Sequence, residues 1–299
     1  MYNKTFNILD GGMGRELKRI GAPFQQPQWS AQALIEDHTY VTQVHDSFIQ
    51  AGSEIITINS YACVPFHLGD SLFEQQGAKL IQQAATLARS SANKYTGTQV
   101  AACIPPLFGS YRPDLFDAQK ANRILTPLID NQAPFADFWL IETISSIEEL
   151  QLVMQALAKS NKPKWLAFSL SDDANIKPQL RSGEPLENAI QVAIDYHADA
   201  ILFNCCIPEV ILNAIERTQA LLQAADKQTI NIGAYANAFQ PINTTHVANE
   251  AQQPMRDLTP NDYLAFVKQW LSAGASIIGG CCGVTPEHIA TIKQFKDTL

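Results

Sequence analysis

Four of the six cysteines in this 299-residue chain stand in two adjacent pairs, Cys205-Cys206 and Cys281-Cys282. Six cysteines are too sparse for a disulfide scaffold at this length. A bridge between sequence neighbours is strained, so the pairs invite a metal or a reactive thiol instead. Cys63 and Cys103 stand alone and read as small buried hydrophobes. Soft sulfur ligands favour zinc over magnesium or calcium. Three thiolates would leave a fourth tetrahedral position open, as in a catalytic rather than a structural zinc site. Such a centre requires the fold to bring sulfurs from both pairs to one point.

The elements that must do so recur along the chain. Eight short apolar, β-branched runs stand out: Phe6–Leu9, Glu54–Asn59, Gln99–Ile104, Phe138–Glu142, Trp165–Leu170, Ala200–Asn204, Ile230–Tyr235 and Ser276–Gly280. Several are apolar at successive positions, as in parallel strands buried on both faces. Between them lie amphipathic stretches, among them Ser30–Ala51, Gln75–Tyr95, Ile147–Ala158, Glu187–Tyr196, Val210–Ala224 and Pro260–Ala273. Ser30 and Thr259-Pro260 read as helix starts, Gly52 and Gly274 as helix ends. The stretch Pro105–Asp130, with four prolines, has only a loose helical pattern. Eight strands with helical crossovers predict an α/β fold, a (β/α)8 TIM barrel rather than an open doubly wound sheet. No repeat, low-complexity tract or charged linker divides it, so a single domain over residues 1–299 is expected.

In such a barrel the site forms where strands end and their loops begin. The polar residues there are Asp10, Asn59-Ser60, Glu142-Thr143, Asn204-Cys205, Tyr235 with Asn237, and Cys281-Cys282. Cys205 ends the sixth run and Cys281-Cys282 the eighth. Two strands apart is about 10 Å, a gap that loops can close around an ion bound at about 2.3 Å from sulfur. Cys205, Cys281 and Cys282 are therefore the expected zinc ligands. Gly279, Gly280 and Gly283 permit the tight backbone that adjacent ligands need. Cys206 should point away from Cys205 and pack. His45, His197 and His288 fall on helical segments and are not taken as ligands.

Twenty-one basic against 29 acidic side chains give a net charge of −8, which argues against nucleic acid and anionic membranes as partners. No 18-residue apolar run exists, and residues 1–12 lack the layout of a signal peptide, so a cytoplasmic protein is expected. Self-association stays open.

At this point the residues resemble a family. Asp10-Gly11-Gly12, Trp29-Ser30-Ala31, Asn59-Ser60-Tyr61, Glu142-Thr143, Phe203-Asn204-Cys205 and Gly279-Gly280-Cys281-Cys282-Gly283 are similar, in order over nearly the whole chain, to the homocysteine S-methyltransferase family. This family of zinc-dependent thiol and selenol methyltransferases includes betaine-dependent and S-methylmethionine-dependent members. The resemblance implies a zinc-dependent barrel that moves a methyl group onto homocysteine sulfur to make methionine. It implies zinc bound by Cys205, Cys281 and Cys282, and the homocysteine amino group held by Glu142. The Asp10–Gly11 turn and Ser60 would receive the rest of the amino acid. The partners would be small molecules, homocysteine and a methyl donor. Two departures face the donor side: Tyr235-Ala236-Asn237 in place of Tyr-Pro-Asn, and Ile104–Asp114 in place of a Gly-Pro-Tyr-Gly loop.

The chemistry explains the residue types. Only the thiolate attacks well, and a free thiol with a pKa near 8.5 is mostly protonated at neutral pH, which metal ligation would correct. A sulfonium or quaternary ammonium donor could rest on aromatic faces, with Phe24, Trp29, Tyr61, Phe108 and Tyr111 as candidates. S-methylmethionine is favoured, with betaine or another onium compound behind it. A structural-zinc or redox thiol protein is the alternative outside this class. Arg15–Arg19 reads as a solvated helix face.

Overall fold

A computed structural model describes residues 5–242 and 253–299. Eight strands alternate with helices: β1 (Asn7–Ile8), β2 (Ile55–Thr57), β3 (Gln99–Ile104), β4 (Phe138–Ile144), β5 (Lys164–Phe168), β6 (Ala200–Asn204), β7 (Asn231–Tyr235) and β8 (Ile277–Ile278). All pairings between them are parallel, each strand beside its sequence neighbours, with β1 paired to β8. The ring closes where Leu9 bridges Ile55 and the Glu54 amide donates to the Ile8 carbonyl at 2.8 Å. The expected (β/α)8 barrel is thus the observed one.

Side-chain alternation sorts each strand into two cores. Leu9, Ile55, Ala101, Phe138, Leu140, Trp165, Ala167, Leu202, Tyr235 and Ile277 fill the barrel interior. Their neighbours Val100, Ala102, Trp139, Ile141, Ile201 and Phe203 belong to the layer shared with the helices. By the same period Cys103 follows Ala101, Glu142 follows Leu140 and Asn204 follows Leu202, so polar groups cap the apolar plug at the strands' C-terminal end.

The helices follow the expected pattern with two differences. Ser30–Ala51 is two helices, Ala31–Glu36 and Thr39–Ala51, split at an extended Asp37 whose carboxylate accepts the Thr39 amide at 3.0 Å. The proline-rich third connection does contain a helix, Ala118–Gln132, capped by Asp117 and carrying Pro127 in its interior. Proline's missing N–H weakens the pattern without preventing the helix, because its apolar face, with Ile124, Leu125 and Leu128, is fully packed. Thr259 forms a capping box with Asp262, and Gly52 ends its helix in the left-handed conformation, as expected.

Gln132, at the end of that helix, is wholly buried against β3. Its amide oxygen accepts from the Cys103 N–H and the Ser60 hydroxyl, each at 2.9 Å, and its Nε2 donates to the Cys103 carbonyl at 2.9 Å. It thereby supplies hydrogen bonds to a strand end that has lost its neighbour. Gln132→Leu should leave the Cys103 amide unpaired and its carbonyl with only the longer Ser60 contact at 3.3 Å, and lower the unfolding free energy in urea by about 1–3 kcal/mol. A loss below about 0.5 kcal/mol would mean these groups find other partners.

Candidate active site

A cavity of about 190 Å³ opens at the C-terminal end of the barrel, lined by Asp10, Gly11, Glu142, Cys205, Cys281 and Cys282 together with aromatic side chains. Two local devices aim its thiols. β6 ends at Asn204, and Cys205 takes a left-handed backbone (φ 51°) that turns its side chain into the cavity, while Cys206 packs in the outer core, as expected. On the opposite side Gly12 lies against the Cys281 carbonyl, which a Cβ at that position would approach to 2.6 Å, so only glycine lets the first loop touch the last.

Cys205 and Cys281 face each other with Cα atoms 5.9 Å apart and are joined as a disulfide, whereas Cys282 is a free, half-buried thiol. Two sulfurs aimed at the same point meet each other. Among the described residues no open group of three ligating side chains remains. The donor set itself fits a soft metal, since all three sulfurs line one cavity.

Glu142 sits on the floor, buried. Its carboxylate accepts from the Cys103 thiol at 2.9 Å and from the Tyr235 hydroxyl at 3.3 Å, and burial pushes its pKa up. Cys103, read as packing, is buried as expected but also has this polar task. Asn204 locks the two halves of the site: its amide oxygen accepts the Thr143 N–H at 3.0 Å and its Nδ2 donates to the Thr143 hydroxyl at 2.9 Å. Glu142 immediately precedes Thr143 and Cys205 immediately follows Asn204, so these bonds hold the two site residues in relation to each other. Asp10 accepts the Thr57 amide at 2.8 Å and its hydroxyl at 3.1 Å. Burial raises its pKa from 3.8 to about 7 against those bonds, and the nearby Glu142 charge adds to the rise.

Not every expected contact faces the cavity. Ser60 is absent from its lining, because its hydroxyl binds Gln132 and the Cys103 carbonyl. Phe108 packs edge-on to Phe116 at 5.8 Å instead of joining Phe24, Trp29, Tyr61 and Tyr111 in the wall. Arg15, expected on a solvated helix face, lines the cavity half-buried, while Arg19 is exposed and pairs with Glu16 at 2.6 Å. His45 is a buried, neutral core histidine whose pKa burial lowers to about 4. His288 caps its helix and binds the Leu258 carbonyl at 2.8 Å. The Ala236 N–H, which a proline would lack, donates to the Tyr263 hydroxyl at 3.1 Å, and that hydroxyl donates to the Gly279 carbonyl at 2.7 Å.

Sequence reasoning missed Arg181. It forms a buried pair with Asp172 at 3.0 Å, donates to the Cys205 carbonyl at 3.2 Å and lies 4.5 Å over the Tyr111 ring. Asp172 in turn accepts the Ile207 and Ile242 amides at 2.9 and 2.8 Å. No spacing in the loop after β5 signals this clamp.

A family model described as homocysteine S-methyltransferase matches residues 7–295. The chain belongs to the homocysteine S-methyltransferase family. Homocysteine S-methyltransferase of Escherichia coli is 28% identical, with 96% of this chain and 94% of that protein covered. Homocysteine S-methyltransferase 1 of Brassica oleracea is 26% identical over 96% of this chain and 92% of its own length. The crystal structure of the homocysteine methyltransferase MmuM from Escherichia coli, metallated form, superposes with a TM-score of 0.79 at 25% identity, covering 98% of this chain and 97% of that one. No helix among the described residues is long and apolar enough to cross a membrane.

Asp10 generates a pH-dependent prediction. Its folded-state pKa lies above the unfolded value, so its stabilising contribution is complete below about pH 3.8 and is lost as pH rises through about 7. Asp10→Asn removes that titration. The variant should gain stability over the parent at pH 8 relative to pH 5, by on the order of 1–3 kcal/mol. Equal stability differences at both pH values, read by thermal unfolding, would show that the carboxylate is not held at a cost.

Proposed function

We propose that the chain transfers a methyl group from a small onium donor, S-methylmethionine in first place, to the thiol of homocysteine, giving methionine. The observation that carries this reading is the convergence of Cys205, Cys281 and Cys282 on one cavity that also holds two buried carboxylates. Zinc held by these three cysteines would act as a Lewis acid that keeps the acceptor sulfur a thiolate at neutral pH. Glu142 and Asp10 receive the homocysteine ammonium, whose positive charge offsets the burial of both carboxylates. The Asp10–Gly11 turn lies beside them and holds the remainder of the amino acid. Phe24, Trp29, Tyr61 and Tyr111 face the donor cation with their rings and keep water from the thiolate.

The acceptor C–S bond forms on the donor methyl carbon as the donor's own methyl–sulfur bond breaks. S-methylmethionine leaves as neutral methionine, and the acceptor's thiol proton goes to solvent. Betaine would serve by the same displacement at an N-methyl carbon, its C–N bond breaking and dimethylglycine leaving. The alternative of a redox thiol protein accounts for the cysteine pair but leaves two costly carboxylates without a task. In this reading residues 1–299 form one homocysteine-binding domain, and the chemistry needs reduced thiols, which the cytoplasm supplies.

Reduced protein should bind about one zinc per chain, and alanine at Cys205, Cys281 or Cys282 should abolish both zinc and methyl transfer. Cys206→Ala, altering only the outer core, should retain both. Full zinc retention in Cys205→Ala, measured by elemental analysis, would refute the ligand set.

Glu142→Gln should weaken homocysteine binding by roughly tenfold to a hundredfold with zinc content unchanged, because a charge-assisted contact is worth about 1.5–3 kcal/mol. Calorimetry in buffers of different ionisation enthalpy should also show close to one proton released on homocysteine binding at pH 7, and almost none for methionine. Zero release for homocysteine would mean that its sulfur does not ligate the metal.

A further inference from the structure

Among the described residues Arg15 is a cation inside the site without a matching anion. It is half-buried in the cavity wall, and its Nε is shielded from solvent with no hydrogen-bond partner among the described residues. Its Nη2 makes only a long contact with the Gln253 carbonyl, 3.4 Å, and its guanidinium lies 5.4 Å from the centre of the Phe239 ring. The adjacent carboxylate, Glu16, is taken by Arg19 at 2.6 Å. Among the described residues no ion pair includes Arg15, although Arg123, Arg181, Arg217 and Arg256 all have one. Shielding a guanidinium nitrogen from water without a partner is unfavourable, and a planar fork of N–H groups matches a carboxylate.

The position of Arg15 separates it from the acids on the floor. Arg15 stands on the side of the cavity formed by Gln253 and Phe239, and it is not among the hydrogen-bond partners of Asp10 (Thr57) or Glu142 (Cys103 and Tyr235). An acceptor whose ammonium sits on those two acids carries its carboxylate on the same carbon, on the floor side. A second ligand that enters behind the acceptor sulfur would present its own carboxylate to the wall formed by Arg15, Phe239 and Cys282.

We propose that Arg15 binds the carboxylate of the methyl donor, so that the enzyme selects onium compounds that are also carboxylates. This rests on the methyl-transfer reading above. Arg15 then fixes the far end of the donor while the aromatic wall holds its cation. Donors such as S-methylmethionine and betaine share the required pairing of onium and carboxylate. A sulfonium without a carboxylate lacks the second anchor.

The test compares S-methylmethionine with its decarboxylated analogue, (3-aminopropyl)dimethylsulfonium, on zinc-loaded wild-type enzyme, Arg15→Gln and Arg15→Lys. Arg15→Gln should raise KM for S-methylmethionine by roughly tenfold to a hundredfold, the scale of a lost charge-assisted contact. It should leave KM for homocysteine within about twofold, and Arg15→Lys should fall between, since a point charge replaces the fork. The decarboxylated donor should be weak on the wild type and no weaker on Arg15→Gln. Equal losses for both donors would assign Arg15 a structural role, and a rise confined to homocysteine would assign it to the acceptor. Either result overturns the proposal. Calorimetric binding of S-methylmethionine to the same proteins gives a readout that needs no turnover. Binding lost in Arg15→Gln without turnover by the wild type would retain the Arg15 assignment and reject the methyl-transfer reading. Binding that is absent, or unaffected by Arg15→Gln, would reject the assignment itself.

Discussion

The seam between β1 and β2 holds the barrel shut, and everything at its rim depends on that closure. Both strands are very short, two and three residues. Glu54 stitches them together. Its backbone amide donates to the Ile8 carbonyl, its Oε2 accepts the Ile8 amide at 3.0 Å, and its Oε1 accepts from Lys296 at 2.6 Å. A carboxylate thus substitutes for ladder bonds that two short strands cannot supply, and it ties the seam to the final helix. With the ring closed, eight parallel strands deliver their C-terminal ends to one rim, and residues as distant as Asp10 and Cys282 come to share a cavity.

The rim is held in an unfavourable electrostatic state. Asp10 and Glu142 are buried near one another, and neither has a cationic side-chain partner in its hydrogen bonds. Their nearest donors are neutral: an amide, two hydroxyls and a thiol. Had an arginine of this chain filled that role, no ligand ammonium could compete for it. The Arg181–Asp172 pair shows the contrasting design, in which the charges neutralise each other and their remaining hydrogen-bonding capacity organises backbone around Cys205. One carboxylate set binds, while the other builds.

Much of the fold was legible because its signals are periodic. Ala200–Asn204 and Gln99–Ile104 are continuous apolar runs, and a strand buried on both faces can hardly be written otherwise. The cysteine pairs marked the rim because their type is unusual and strand order places them two positions apart. What escaped depends on side-chain direction. Ser60 stands at a strand end like Asn59, yet only the structure shows its hydroxyl turned toward Gln132. Cys103 differs from Cys63 by facing a carboxylate, a contact 39 residues away in sequence. Arg15 follows a glycine turn that lies tight against the Cys281 carbonyl and it lines the cavity, a placement that helical periodicity alone does not record. Asp37 broke a helix by capping its own successor, a local competition that apolar spacing does not reveal.

The pairing of β1 with β8 has a consequence for how the molecule comes into being. The first strand emerges from the ribosome with one of its two neighbours still to be made, nearly the whole chain later. Until β8 arrives, Asn7–Ile8 is a two-residue fragment with an open edge, and the sulfurs of Cys281 and Cys282 do not yet exist to meet Cys205. Intermediate strands can pair as they are synthesised, since each lies beside its predecessor. The cavity cannot. Its first and last walls meet only once β8 has been made, so a product truncated before β8 would lack the site altogether and would not retain a weakened one.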